Sequence, residues 1–148
     1  VSDACANVAV TLGVEVMRCD PRANALDHLN IAGVVTLNIL PSLVSESTGA
    51  CHSGTAIVAL THDPRIDDLA MMDAVKTNAF YIGVMGSQRT SRARAERLHK
   101  SGGLSEEQIA CIHMPIGLAL GSKTPSEIAL AVIADVVRVL RGKLRTEL

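Results

Sequence analysis

The segment "TAIVAL" (Thr55 to Leu60) is apolar almost throughout, and a second run of the same kind, "AFYIGVM" (Ala79 to Met85), follows it within twenty residues. Strands that show no polar alternation are covered on both faces, which is the mark of a parallel sheet. Parallel neighbours need a crossover of a dozen or so residues, usually a helix. The stretch between the runs supplies one: Asp67 to Lys76 places Leu69, Met72 and Val75 on one helical face. This one unit already restricts the chain to an α/β layered fold.

The flanking segments extend the pattern. Asp3 to Leu12 carries Ala4, Val8 and Leu12 at helical spacing and is closed by Gly13, after which "VEVMRC" (Val14 to Cys19) and "GVVTLN" (Gly33 to Asn38) read as short strands. Ser105 with Gln108, and Thr124 with Pro125 and Glu127, form capping boxes. The second opens a helix from Pro125 to Arg141, apolar at Ile128, Val132, Ile133, Val136 and Leu140 and stopped by Gly142. We therefore expect an α/β doubly wound parallel sheet, Rossmann-like and three-layered, with residues 1–148 forming a single domain. The glycine-rich turn that should precede the first helix is not in the sequence, so the sheet is expected to lack its first strand.

Composition excludes several classes. With one Tyr, one Phe and no Trp there is no stacking platform for single-stranded nucleic acid, and no apolar run approaches the roughly 18 residues of a membrane span. Cys5, Cys19, Cys51 and Cys111 lack the spacing of a disulfide framework or a zinc site, which fits a reducing cytoplasm; Cys111 with His113 has no second pair to complete a metal site.

In such sheets ligands lie beyond the carboxyl ends of the strands. After "VEVMRC" come Asp20, Pro21 and Arg22: an acid here accepts bonds from ribose hydroxyls, an arginine favours a phosphorylated ribose, and Asp20 before Pro also suits a plain turn. After "TAIVAL" come His62 and Asp63; the imidazole can serve as acid, base or ligand contact, or simply bond to the backbone. After "AFYIGVM" comes "GSQRT". Gly86 permits close approach, Ser87 suits a helix N-cap, and the N–H groups of Gln88 to Thr90 face outward. Arg89 at that positive helix end is unfavourable unless an anion sits there. The helix it opens holds Arg89, Arg92, Arg94, Arg97 and Lys100 against Glu96 alone, in a chain of net charge −1, so it reads either as a solvated basic face or as an anion site. His113, Pro115, Gly117 and Gly121 lie in a constrained loop able to close a pocket.

Taken in order, "LGVEVMRCDPR", "LTHDPRIDD", "YIGVMGSQRTSRARAERL" and "IHMPIGLALGSKTPSEIALAVIADVV" resemble the C-terminal Rossmann-like domain of the XdhC/CoxI family of xanthine dehydrogenase accessory proteins. The resemblance implies a maturation factor for molybdenum hydroxylases of the xanthine or carbon monoxide dehydrogenase type, more a cofactor-binding accessory protein than an enzyme, with no catalytic residue assigned. It would bind molybdopterin cofactor through its sulfuration and insertion, with the hydroxylase apoenzyme and a sulfurtransferase as partners and a homo-oligomeric state. Family members usually begin with a separate cysteine-bearing domain, which is not in this sequence. The implied cofactor-binding residues are Asp20, Arg22, His62, Asp63, Gly86, Ser87, Arg89, Thr90, His113, Pro115 and Gly117. Ala119 departs from the pattern, standing where relatives are expected to carry a carboxylate. The competing class is an NAD(P)-dependent oxidoreductase using His62 as acid/base.

Overall fold

A computed structural model describes residues 1–22, 33–37 and 51–143. Its elements alternate as the apolar runs require: α1 (Ser2–Thr11), β1 (Val16–Cys19), β2 (Val34–Leu37), β3 (Ala56–Ala59), α2 (Pro64–Ala74), β4 (Tyr81–Val84), α3 (Gln88–Lys100), α4 (Glu106–Ala110) and α5 (Pro125–Leu140). β1 pairs with β2 and β3 with β4, both in parallel, with Val16 opposite Val34 and Ala56 opposite Tyr81. Among the described residues no ladder joins β1 to β3, so the strands form two pairs.

β4 is buried along its whole length because it has neighbours on both sides. Opposite β3, the chain returns beside it at His113, whose N–H donates to the Ile82 carbonyl at 2.8 Å and whose carbonyl accepts from Val84 N–H at 3.1 Å. Strand alternation then sorts β3 between two cores. Ile57 and Ala59 join Met71, Ala74, Ile82 and Leu98 under α2 and α3, while Val58 and Leu60 join Cys5, Ala129 and Val132 under α1 and α5. Helices on both faces give the three layers.

The helix boundaries follow their caps. Ser87, Ser105 and Thr124 each head a reciprocal capping box, and Gly13 and Gly142 end α1 and α5 at φ of 78° and 68°. α2 differs from expectation: it starts at Pro64 with Asp63 as N-cap, three residues before Asp67. Its buried stripe is Ile66, Asp67, Ala70, Met71 and Ala74, and Leu69 is exposed. The same correction applies to Leu12 and Leu140, both exposed, while Cys5, Ala6, Ala129 and Ala131 face the core. Small side chains let these helices lie close to the sheet, so packing favours the alanine stripe over the leucines.

Candidate functional site: the strand ends

β1 and β3 end in the same tripeptide, Asp-Pro-Arg, folded the same way. At β1, Arg22 donates from its backbone N–H and Nε to Asp20 Oδ1 at 3.0 and 2.9 Å, and from Nη2 to Oδ2 at 2.6 Å. At β3, Arg65 repeats these bonds to Asp63 at 3.0, 3.1 and 2.9 Å. The bonds from each arginine hold both carboxyls below the usual carboxylate range. Asp20 and Asp63 also sense one another, and Arg22 senses Asp63 and Asp67, so the two strand ends are neighbours. An acceptor for a ribose hydroxyl at Asp20 thus comes already bonded to a guanidinium.

His62 turns the β3 end. Its φ of 65° is left-handed, which a residue with a Cβ adopts at a cost of about 1 to 3 kcal/mol. The turn brings Thr61 Oγ1 to within 2.6 Å of Asp67 Oδ1, to which it donates, and lets the same hydroxyl accept from Asp63 N–H at 3.1 Å. Asp67 is 1% exposed and its Oδ2 has no hydrogen-bond partner among the described residues. Burial pushes this carboxyl above the ordinary range, opposed by the Thr61 bonds and by nearby Arg94. The His62 imidazole is exposed and bonds to nothing among the described residues.

At the β4 end, Ser87 Oγ accepts from Thr90 N–H at 3.1 Å, and Thr90 Oγ1 accepts from Ser87 N–H at 2.8 Å. Ser87 and Thr90 therefore build the helix terminus, and Thr90 N–H is not available as an outward donor. The N–H groups of Gln88 and Arg89 remain, and the Arg89 and Arg92 side chains are exposed with no partner among the described residues. Gly86 is obligatory here, since a Cβ would lie 2.7 Å from Thr90 Oγ1. The basic helix is not uniformly solvated: Arg94 is 5% exposed, and Arg94 and Arg97 each donate through Nε to Asp68 of α2 at 2.8 Å.

The loop after His113 reaches the same end of the sheet. Ile116, Leu118 to Ser122, Met85 and Gly86 line a cleft of about 290 Å³, with Ile128 and Ala131 behind. Gly117, at φ 92°, lies against α5, where a Cβ would be 3.2 Å from Ala131 and Val132 backbone atoms. Pro115 follows a cis peptide bond. His113 points into the interior: its ring stacks on Tyr81 at 4.3 Å, and Nδ1 lies 3.8 Å from Asp135, a carboxylate with 0% exposure.

The structure thus groups Gly86, Ser87, Arg89 and Thr90 around one helix terminus, and Asp20, Arg22, His62 and Asp63 around two adjoining strand ends. His113 and Gly117 stand apart as packing residues. Sequence reasoning missed Asp67, Asp68, Arg94 and the Leu118–Ser122 lining. Their partners are distant in sequence, and only the turn-forming Gly121 marked the last.

A parallel sheet between two helix layers, with a capped helix opening at its strand ends, defines a Rossmann-type α/β domain. The chain belongs to the XdhC family: the family model for the XdhC Rossmann domain matches residues 1–136. The chain is 33% identical over 117 residues to the molybdenum cofactor insertion chaperone PaoD of Escherichia coli K12, covering 79% of this chain and 36% of PaoD. It is 28% identical over 121 residues to the uncharacterized protein YqeB of the same organism, covering 74% of this chain and 22% of YqeB. The chain therefore spans between about a fifth and about a third of the length of these relatives. A crystal structure of a xanthine dehydrogenase from Bacillus halodurans shares the fold, with a TM-score of 0.75 at 18% identity over 99% of this chain and 41% of that one.

Proposed function

We propose that this domain serves the maturation of molybdenum hydroxylases by binding the phosphate of molybdopterin cofactor at the α3 terminus, while the rest of the cofactor lies along the strand ends. One observation carries this reading: the Gln88 and Arg89 N–H groups open the α3 terminus with no hydrogen-bond partner among the described residues, the exposed Arg89 side chain stands on the same turn, and Gly86, two residues before Gln88, lines the neighbouring cleft. A helix terminus and a cation so placed favour a phosphate. The donor set suits a phosphate, and the reciprocal bonds of Ser87 and Thr90 fix the terminus that presents it. Bound there, the cofactor would present its molybdenum centre for sulfuration and transfer; the protein's own part is to grip, orient and release it. The similarity to PaoD supports this role, with a hydroxylase apoenzyme as recipient and a sulfurtransferase as a second partner. No helix among the described residues is long and apolar enough to cross a membrane; a homo-oligomer acting in the cytoplasm belongs to the proposal.

The Arg22 hook at the β1 end supports a second reading, a phosphorylated nicotinamide nucleotide with His62 as acid/base. Reconstitution separates the two. A molybdenum hydroxylase apoenzyme should gain activity from cofactor plus parent protein, and much less from cofactor plus Arg89→Ala. Failure of the parent to activate, together with hydride transfer from NADPH abolished by His62→Ala, would favour the oxidoreductase.

A further inference from the structure

The third arginine of α3 is buried where a solvated basic face would keep it exposed, and its two contacts lead to the proposed phosphate site. Arg94 Nη1 donates to the Met85 carbonyl at 3.0 Å while Nε donates to Asp68 Oδ1 at 2.8 Å. The Met85 carbonyl and the Gly86 N–H belong to one planar trans peptide, so they point in opposite directions. Drawing the carbonyl toward Arg94 therefore aims the Gly86 N–H away from the body of α3. Met85 N–H is fixed in turn by the Ala59 carbonyl at 3.0 Å, so the peptide groups on both sides of Met85 are held. The close contact at Gly86 is with Thr90 Oγ1, which a Cβ would approach to 2.7 Å, while Arg94 Nη1 and Ser91 Oγ lie at ordinary contact distances of 3.7 and 3.6 Å from the same position; the Ser91 hydroxyl is buried and has no hydrogen-bond partner among the described residues.

Asp68 braces this arrangement from α2. Its Oδ1 takes Arg94 and its Oδ2 takes Arg97, so the guanidinium beneath Met85 cannot swing away. Asp68 adjoins Asp67, the buried acid that bonds Thr61 under the His62 turn, so the Arg94–Asp68 bond ties α3 to that turn, and Arg94 also bears electrostatically on Asp67. One side chain thus touches the end of β4 and influences the end of β3. We infer that Arg94, held by Asp68, is a positioning residue that aims the Gly86 N–H and couples the two strand-end loops, so that Gly86, Gln88 and Arg89 grip a phosphate together. The inference rests on the phosphate reading above. It divides the basic helix by role, Arg89 meeting the ligand and Arg94 fixing the backbone beside it.

The test uses the full chain, inorganic pyrophosphate as probe, and amide resonances as readout. In Arg94→Lys the charge remains, but a single ammonium cannot reproduce the fork that joins Asp68 to Met85. The Gly86 amide of the free protein should then shift and exchange faster, and pyrophosphate should bind roughly tenfold more weakly, the loss of about one charge-assisted bond. Arg97→Ala, which leaves the Met85 contact in place, should change neither. Asp68→Asn removes the brace without removing Arg94 and should give an intermediate loss, which keeps the inference open to refutation should Arg94→Lys not fold. A parent that binds pyrophosphate equally well with Arg94→Lys or Asp68→Asn, with the Gly86 amide unmoved, overturns the positioning role alone. A parent whose Gly86, Gln88 and Arg89 amides ignore pyrophosphate overturns the phosphate reading and this role with it.

Discussion

Replacing Tyr81 by Phe isolates the interaction that ties β4 to α5. The Tyr81 hydroxyl donates to Asp135 Oδ2 at 2.7 Å, and both residues are fully buried. Phe preserves the ring and its stacking on His113, so the change is confined to one donor. His113 Nδ1, at 3.8 Å, is too distant to replace it, and Arg138 already donates to the other oxygen at 2.9 Å. A bond to a charged acceptor contributes about 1.5 to 3 kcal/mol, and removing a fully buried one forfeits most of that. The expected loss is therefore about 2 to 3 kcal/mol, which for a domain of this size lowers the melting temperature by roughly 2–4 °C for each kcal/mol. Urea unfolding of the parent, Tyr81→Phe, Asp135→Asn and the double variant should give a coupling energy of about 1 kcal/mol or more between the two sites. A loss below about 0.5 kcal/mol for Tyr81→Phe, or additive effects, would refute the claim that this bond pins the strand to the helix.

Other consequences can be checked in solution. Asp67 holds its proton more tightly folded than unfolded, so its contribution falls as pH rises through the ordinary aspartate range and on through the raised native one; thermal melts should show Asp67→Asn lacking that decline, and a parent–variant difference independent of pH would contradict it. Burial lifts the Cys5 thiol to about 11, whereas Cys111 is exposed, so iodoacetamide at mild alkaline pH should label Cys111 well before Cys5; equal rates would contradict the packing of α1. Among the described residues β1 and β3 each have one edge without a ladder partner, which invites another strand, so sedimentation should show concentration-dependent association, and a monomer with a sharp, concentration-independent unfolding transition would count against it.

β3 and β4 were legible because residues covered on two faces read as unbroken apolar runs, and the helix starts because Ser87, Ser105 and Thr124 cap in the manner their side chains dictate. Helix faces were less legible. Leu69 and Leu140 outweigh Ala70 and Ala131 in any reading of hydrophobicity, yet it is the small residues that fit against the sheet. The Gly86 to Thr90 terminus could be anticipated, since a cap and a misplaced arginine are local signals. Arg94 and Asp135 could not. Their roles depend on Asp68, 26 residues away, and on Tyr81, 54 residues away, and nothing local separates a buried arginine from its solvated neighbours on the same helix.

Calorimetric titration of molybdopterin under anaerobic conditions, at two salt concentrations, tests the phosphate site most directly. The parent should bind, and Arg89→Ala should bind roughly one to two decades more weakly, as the loss of one charged hydrogen bond of about 1.5 to 3 kcal/mol requires. Arg97→Ala should match the parent, because its guanidinium is engaged with Asp68. Equal losses at Arg89 and Arg97, or a parent that does not bind, would contradict a phosphate site at the α3 terminus.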